Sequence, residues 1–180
     1  MKIGFTGKRP KELFGYNGWK YQPLLFKIEE LLEKILKDKE NIVITGGAQG
    51  ADMLGFDGAH LVKMKNPELN IKNILYIPFD GYNKNWTYDN NEPFSKVHYQ
   101  KMIENADKIE ICSNEQNNNS YFLRNRKIVD NIDILICIAK ITNQLPTGGT
   151  GYTVKYALQK NKQIIQLDPF TLKIKYLNKN

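Results

Sequence analysis

The stretch "IDILICIAK", residues 132–140, is apolar at nearly every position. A short run of this kind fits a strand buried on both faces, as in the middle of a parallel sheet. Parallel neighbours need long crossover connections, usually helices. The rest of the chain should therefore alternate strands with helices, and its patterning does. "KIGFT" (2–6), "NIVIT" (41–45), "KNILYIP" (72–78), "KIEICS" (108–113) and "KQIIQLD" (162–168) read as further strands. Apolar residues recur at helical spacing through 22–39 (Leu24, Leu25, Ile28, Leu31, Leu32, Ile35, Leu36), and Pro23 suits a first helical turn. Residues 50–64, 94–107, 121–131 and 149–161 read as four more helices. "EQNNNS" (115–120) and the aromatic stretch 80–93 read as loops, and "KIKYLNKN" (173–180) as a partly mobile tail.

The expected fold class is α/β: a Rossmann-like three-layer α/β/α arrangement around a mainly parallel sheet. No linker, repeat or low-complexity segment divides the chain, so one domain is expected over residues 1–170, with 171–180 as a C-terminal tail. At 180 residues, one domain can bury roughly 70% of its unfolded surface.

No run of 18 apolar residues is present, so no membrane partner is expected. The start "MKIGFTGKRP" lacks the long apolar core of a secretion signal, and a cytoplasmic location is expected. Cys112 and Cys137 both lie in strand-like runs and read as reduced, buried core residues. Two scattered histidines and no cysteine pair give no zinc pattern; neither metal nor cofactor is expected. The net charge of +7 favours anionic partners. It comes from 23 lysines and only 3 arginines. Those three, Arg9, Arg124 and Arg126, each fall beside a turn or helix of interest, and arginine grips phosphate with a planar fork.

Three Thr-Gly turns follow apolar runs: "FTGKRP" (5–10), "ITGGAQGAD" (44–52) and "PTGGTGYT" (146–153). In a parallel sheet such turns lie beyond the carboxyl ends of strands, where ligands bind. Glycine lets the backbone approach a phosphate, and the helix that follows offers unpaired N–H groups and the positive end of its dipole. The alternative is that glycine is there only to turn the chain. The Walker pattern is absent, which argues against kinase or ATPase chemistry. "TGGAQG" nearly meets the dinucleotide fingerprint, but Thr45 stands at its first glycine and the turn follows the second strand, which disfavours a nicotinamide dehydrogenase.

The ordered series "GFTGKRP…TGGAQGAD…YIPFDGYNKNW…ADK…LRNRKIVDNIDILI…GGTGYTVKYA" resembles the SLOG superfamily, and within it the YpsA-like group. The superfamily includes the Lonely-Guy phosphoribohydrolases and the DNA-processing protein DprA. The resemblance covers about residues 2–165. It implies a Rossmann-like fold binding nucleotides or nucleotide-derived ligands, often as a dimer. By position, Gly46, Gly47, Ala48 and Gly50 resemble the family's phosphate-ribose loop, and Asp52 its acidic residue at the next helix. Arg124 resembles the arginine ahead of the fifth strand, and Gly148, Gly149 and Thr150 the second glycine loop. One departure matters. Lonely-Guy enzymes carry a catalytic glutamate whose place here is near Val154–Lys155, and no acid lies between Asp133 and Asp168. Cleavage of an N-glycosidic bond needs a carboxylate near the ribose.

The expected ligand-binding set is Thr6, Gly7, Arg9, Thr45, Gly46, Gly47, Ala48, Gly50, Asp52, Asp80, Trp86, Arg124, Gly148, Gly149 and Thr150. Several members have a plain structural alternative. Asp52 also suits a helix cap, Asp80 a turn, and Arg124 or Arg126 a solvated helix face. Trp86, Tyr82 and Tyr88 suit either base stacking or packing of their loop. His60 and His98 read as packing or exposed helix residues, and Glu115 and Asp130 are acids without a motif. The expected function is binding of a nucleotide-derived small molecule, an ADP-ribose-type signal or a nucleoside phosphate, by a sensor or sequestering protein that is a homodimer or a higher homo-oligomer. The alternatives are a nucleoside monophosphate phosphoribohydrolase using Asp52 or Glu115, and single-stranded DNA binding. Nucleic acid is the weaker expectation, because no dense basic-aromatic stripe is visible in the sequence.

Overall fold

The computed structural model of the protein describes residues 1–37, 40–88 and 93–177. Seven strands form one sheet: β1 (Lys2–Gly7), β2 (Asn41–Thr45), β3 (Ile71–Ile77), β4 (Lys108–Ile111), β5 (Ile134–Ile138), β6 (Gln163–Leu167) and β7 (Ile174–Tyr176). Their order is β4-β3-β2-β1-β5-β6-β7. All pairings are parallel except β6 with β7. The α-helices among the described residues are α1 (Gln22–Ile35), α2 (Ala51–Lys65), α3 (Lys96–Asn105), α4 (Asn118–Asp130) and α5 (Gly148–Gln159). This is the mainly parallel α/β arrangement that the alternating pattern predicts.

β5 is buried at all five positions, as its uniform apolarity requires. β1 beside it alternates. Ile3 and Phe5 join the core cluster that holds buried residues of α1, α2 and α3. Gly4 and Thr6 occupy the other face, and a Cβ on Gly4 would meet Ile128 of α4 and Ile132. That second core contains Ile128 and Val129 of α4, and Val154 and Ala157 of α5. Helices therefore cover both faces. On the first face the fit is close: a Cβ on Gly58 of α2 would come within 2.6 Å of Ile28 of α1, and one on Gly55 would enter the ring of Phe5.

The chain leaves β1 in one direction across the sheet and returns to its other side at β5, so the strand order reverses between them. In open α/β sheets this is where a crevice opens at the carboxyl edge.

Three readings of local structure are corrected. Residues 174–176 of the tail, expected to be partly mobile, form β7, held against β6 in register Ile165↔Tyr176; residues 178–180 lie outside those described. The expected loop 115–120 gives its last three residues to α4, because Asn117 caps the helix, its side chain accepting from the Ser120 N–H at 3.2 Å. Cys112, read as core, is half-buried just past the edge strand β4, whereas Cys137 is fully buried in β5. Burial pushes the Cys137 thiol up to about 12. In the aromatic loop 80–93, residues 89–92 lie outside those described. Among the described residues no helix is long and apolar enough to cross a membrane, and no three His, Cys, Asp or Glu side chains are grouped to hold a metal ion.

Candidate functional site

A cleft of about 430 Å³ lies at the strand-order reversal. Its floor is the end of β1, from Phe5 to Arg9. One wall is α4, through Asn118, Tyr121, Phe122, Arg124 and Asn125. The opposite wall is the start of α5, from Thr147 to Thr150, with Thr153 behind. Ala48 and Asp52 close the end nearest β2. Parts of all three Thr-Gly turns thus converge on one cavity.

The first and third turns are tied directly. The Thr150 hydroxyl donates to the Gly7 carbonyl at 2.8 Å, and Lys8 Nζ donates to the Thr147 carbonyl at 3.3 Å. Lys8 also pairs with Glu12 at 2.7 Å. The Lys8 amide donates to Ile138 of β5, and its carbonyl accepts from the Ala51 amide at the start of α2. Gly7 has no room for a side chain: a Cβ there would press on the Ile138 carbonyl and the Ala51 methyl.

The third turn faces open space. A Cβ at Gly148 or Gly149 would find no atom within 4 Å. α5 begins here, and Thr147 contributes no side-chain cap. The first N–H groups of a helix have no partner within it, and they carry the positive end of its dipole. Thr6 sits alongside, 8% exposed, lining the same cleft. Its hydroxyl takes part in no hydrogen bond among the described residues.

The second turn is different. Arg124 reaches from α4 and lies across Gly46: its Nη1 donates to the Gly46 carbonyl and to Asp52 Oδ2, the latter at 3.4 Å. Its Nε donates to Asn125 Oδ1 at 2.8 Å. Arg124 and Asp52 are 4% and 7% exposed. Asp52 Oδ2 also accepts from the Ala48 amide at 3.4 Å. A Cβ on Gly46 would land on the Arg124 guanidinium and 2.6 Å from Asp52 Oδ2. Gly47 is buried with φ +64°, and a Cβ there would meet the Tyr99 ring of α3 at 3.2 Å. Gly50, φ +93°, packs on the Lys8 carbonyl. Thr45 is fully buried and its hydroxyl has no partner among the described residues.

The structure therefore brings together Thr6, Gly7, Arg9, Ala48, Asp52, Arg124, Gly148, Gly149 and Thr150. It places Thr45, Gly46, Gly47 and Gly50 behind the cleft wall. Trp86 packs edge-on to Tyr82 at 5.3 Å and Tyr99 at 5.1 Å, part-buried against the first core. Asp80 is exposed on its turn and its carbonyl accepts from Gln116. Neither lines the cleft. Tyr82 accepts from Arg9 at 3.3 Å; Tyr88 is exposed beneath Lys96. His98 Nδ1 accepts from the Phe94 amide and its Nε2 faces Asp57 at 3.0 Å. His60 stacks on Phe56. Asp130 accepts from the Tyr156 hydroxyl. Val154 is buried in the second core, while Lys155 is exposed outside the cleft.

Sequence reasoning missed the amide and aromatic wall of α4, namely Asn118, Tyr121, Phe122 and Asn125. Their spacing of three, four and seven marks one helix face, but a helix begun at Tyr121 leaves Asn118 outside it.

The comparisons with known proteins agree with this architecture. Two DprA structures share the fold. The one from Helicobacter pylori, described for its single-stranded DNA binding mode, has a TM-score of 0.56 at 16% identity, covering 93% of this chain and 65% of that one. The one from Streptococcus pneumoniae has a TM-score of 0.55 at 13% identity, covering 96% of this chain and 52% of that one. The SPbeta prophage-derived protein YoqJ of Bacillus subtilis is 40% identical over 86 residues, 48% of this chain and 44% of that protein. A UPF0398 protein of Latilactobacillus sakei is 31% identical over 91 residues, 49% of this chain and 48% of that protein. Each match thus spans less than half of the curated relative. The YpsA family model, by contrast, matches residues 3–172, across all three glycine turns and every strand up to β6. By that match the chain belongs to the YspA SLOG family.

Proposed function

We propose that the cleft binds a nucleotide-derived small molecule, an ADP-ribose-type signal or a nucleoside phosphate, and holds it unchanged as a sensor or sequestering protein. The observation that carries this reading is the bare start of α5. Gly148 and Gly149 present backbone with no neighbouring atom to fill the space in front of it. A helix N-terminus open to a cavity favours an anion. The cavity adds the unengaged Thr6 hydroxyl and the side chains of Lys8, Arg9 and Arg124 against Glu12 and Asp52, three positive and two negative. The α4 wall supplies rings and amides suited to a base.

Chemistry on the ligand is a poorer fit to the carboxylates present. Asp52 is engaged by Arg124 and the Ala48 amide, and Glu12 by Lys8. Neither is left free to activate water beside a ribose. Calorimetry against AMP, ADP and ADP-ribose should find a ligand of micromolar or better affinity, recovered intact by chromatography. Release of free base would make the protein a phosphoribohydrolase. Affinity for single-stranded DNA alone, weakening steeply with salt, would replace the small molecule with a nucleic acid.

A further inference from the structure

Beyond the cleft, over the ridge made by Phe122, lies a second hollow of about 500 Å³. Phe122 lines both cavities. The hollow sits between α4 and α5, and its aromatic side has an ordered construction. Phe122 meets Tyr152 edge to face, centroids 4.6 Å apart. Arg126 Nε donates to the Tyr152 hydroxyl. The Arg126 guanidinium lies 5.7 Å from the Tyr152 centroid and 5.6 Å from that of Tyr156. A cation over two rings is held in place, yet among the described residues only one of its five N–H groups finds a partner. Phe122 and Leu123 remain 39% and 48% exposed. Glu115 and Asn117 also line it, the Asn117 amide donating to Glu115 Oε2 at 2.6 Å.

Position links this hollow to the anion site. Tyr152 is three residues after Gly149, so it stands about one helical turn, ~5 Å, along α5 from the bare N–H groups. Phe122, which lines both hollows, is the side chain that a ligand extending from the cleft into the second hollow would pass. At about 430 Å³ the first cleft lies at the small end of the range for ligand pockets. The ring cluster beyond is then left for a second planar group.

We propose that Phe122, Arg126 and Tyr152 form a second subsite, and that the favoured ligand is a dinucleotide whose two bases are joined through a diphosphate. The second base stacks on the Phe122–Tyr152 cluster, while Arg126 donates to the bridging phosphate or the second ribose. This rests on the nucleotide reading of the cleft.

The test compares AMP, ADP-ribose, diadenosine diphosphate and an oligodeoxyadenylate by calorimetry on the full chain. Base stacking on aromatic side chains predicts that diadenosine diphosphate binds about ten- to a hundredfold more tightly than AMP. ADP-ribose, with a ribose but no second base, should fall between them. Tyr152→Ala and Arg126→Gln should remove the dinucleotide's advantage and leave AMP affinity within about twofold. Tyr152→Leu, which keeps apolar packing on α5, should behave as Tyr152→Ala does. AMP and diadenosine diphosphate binding equally would overturn the subsite and leave the cleft reading standing. No binding by any nucleotide would overturn both. An oligonucleotide whose affinity climbs with length would turn the hollow into part of a strand-binding track. A dimer that becomes monomeric on Leu123→Ser would show a second copy of the chain covering this face, and would equally overturn the proposal.

Discussion

Two glycine doublets, Gly46–Gly47 and Gly148–Gly149, look alike in sequence and do opposite things. Around the first, space is already taken: a Cβ at Gly46 would land on Arg124, and one at Gly47 would press on Tyr99. At the second, a Cβ on either glycine would meet no side chain or distant backbone of the described residues within 4 Å. The first doublet is small so that the protein's own arginine can lie against the backbone. The second leaves the same kind of surface open to something from outside. The difference teaches that a glycine-rich turn locates close approach without saying what approaches. At the second turn of this chain the guest is built in, a guanidinium on a main-chain carbonyl and a carboxylate.

The largest expected effect tests that claim. Arg124→Ala leaves Asp52 buried without its cation, and removing one partner of a buried pair costs about 3–5 kcal/mol. Gly46→Ala should cost a comparable amount by expelling the same guanidinium. Urea unfolding measures both, and the double variant should cost far less than the sum, because the two changes remove one interaction. Additive losses would show that Gly46 and Arg124 act separately and would break the comparison.

Gly149→Ala is the counterpart. Stability should stay level or rise by up to ~1 kcal/mol, because alanine loses less backbone entropy on folding. Affinity for a phosphate-bearing ligand should fall about tenfold, since the new methyl occupies the approach to the helix N-terminus. A folded Gly149→Ala that binds as well as the parent would remove the α5 start from the site.

A smaller effect concerns how the open turn is held. Asp168, just past β6, accepts from the amides of Ile141, Phe170 and Thr171 at 2.8, 2.9 and 3.1 Å. Ile141 begins the segment that leads to Thr147. Burial alone would raise the Asp168 carboxyl, but these backbone N–H groups outweigh it and hold the carboxyl below its usual value. A lowered folded-state pKa gives stability that is complete above the unfolded value, about 3.9, and is lost as pH falls through the folded one. Asp168→Asn should therefore be less stable than the parent by about 1 kcal/mol at neutral pH, with the gap closing below pH 4. A gap that persists unchanged in acid would show that shape, not charge, matters at this position.

Much of the fold was legible because burial writes itself into composition. β5 is apolar at every position since both of its faces are covered, and α1 carries its core stripe at helical spacing. What was illegible was set by distant partners. Nothing local in "KIKYLNKN" marks β7, which exists because β6 offers it an edge. Arg124 was legible as important, but not as buried, since its partners Gly46 and Asp52 lie 78 and 72 residues away. Trp86 read equally as a stacking surface or as packing; the structure gives it Tyr82 and Tyr99 as neighbours, a cluster drawn from a loop and α3. The α4 wall was hidden by three consecutive asparagines, residues that favour both loops and helix caps.

The central position of β1 also shapes how the protein is made. Its partner on one side, β2, follows about 40 residues later, but on the other side Ile3 pairs with Ile134 of β5. Ribosomes add about 5–20 residues per second, so β1 waits on the order of ten seconds for that neighbour. Through this interval the strand that ends as the middle of the sheet is an unguarded edge, with free amides and carbonyls along one side. The nascent half-sheet is thus the form of this protein most open to pairing with the wrong chain, until β5 arrives and pairs with β1.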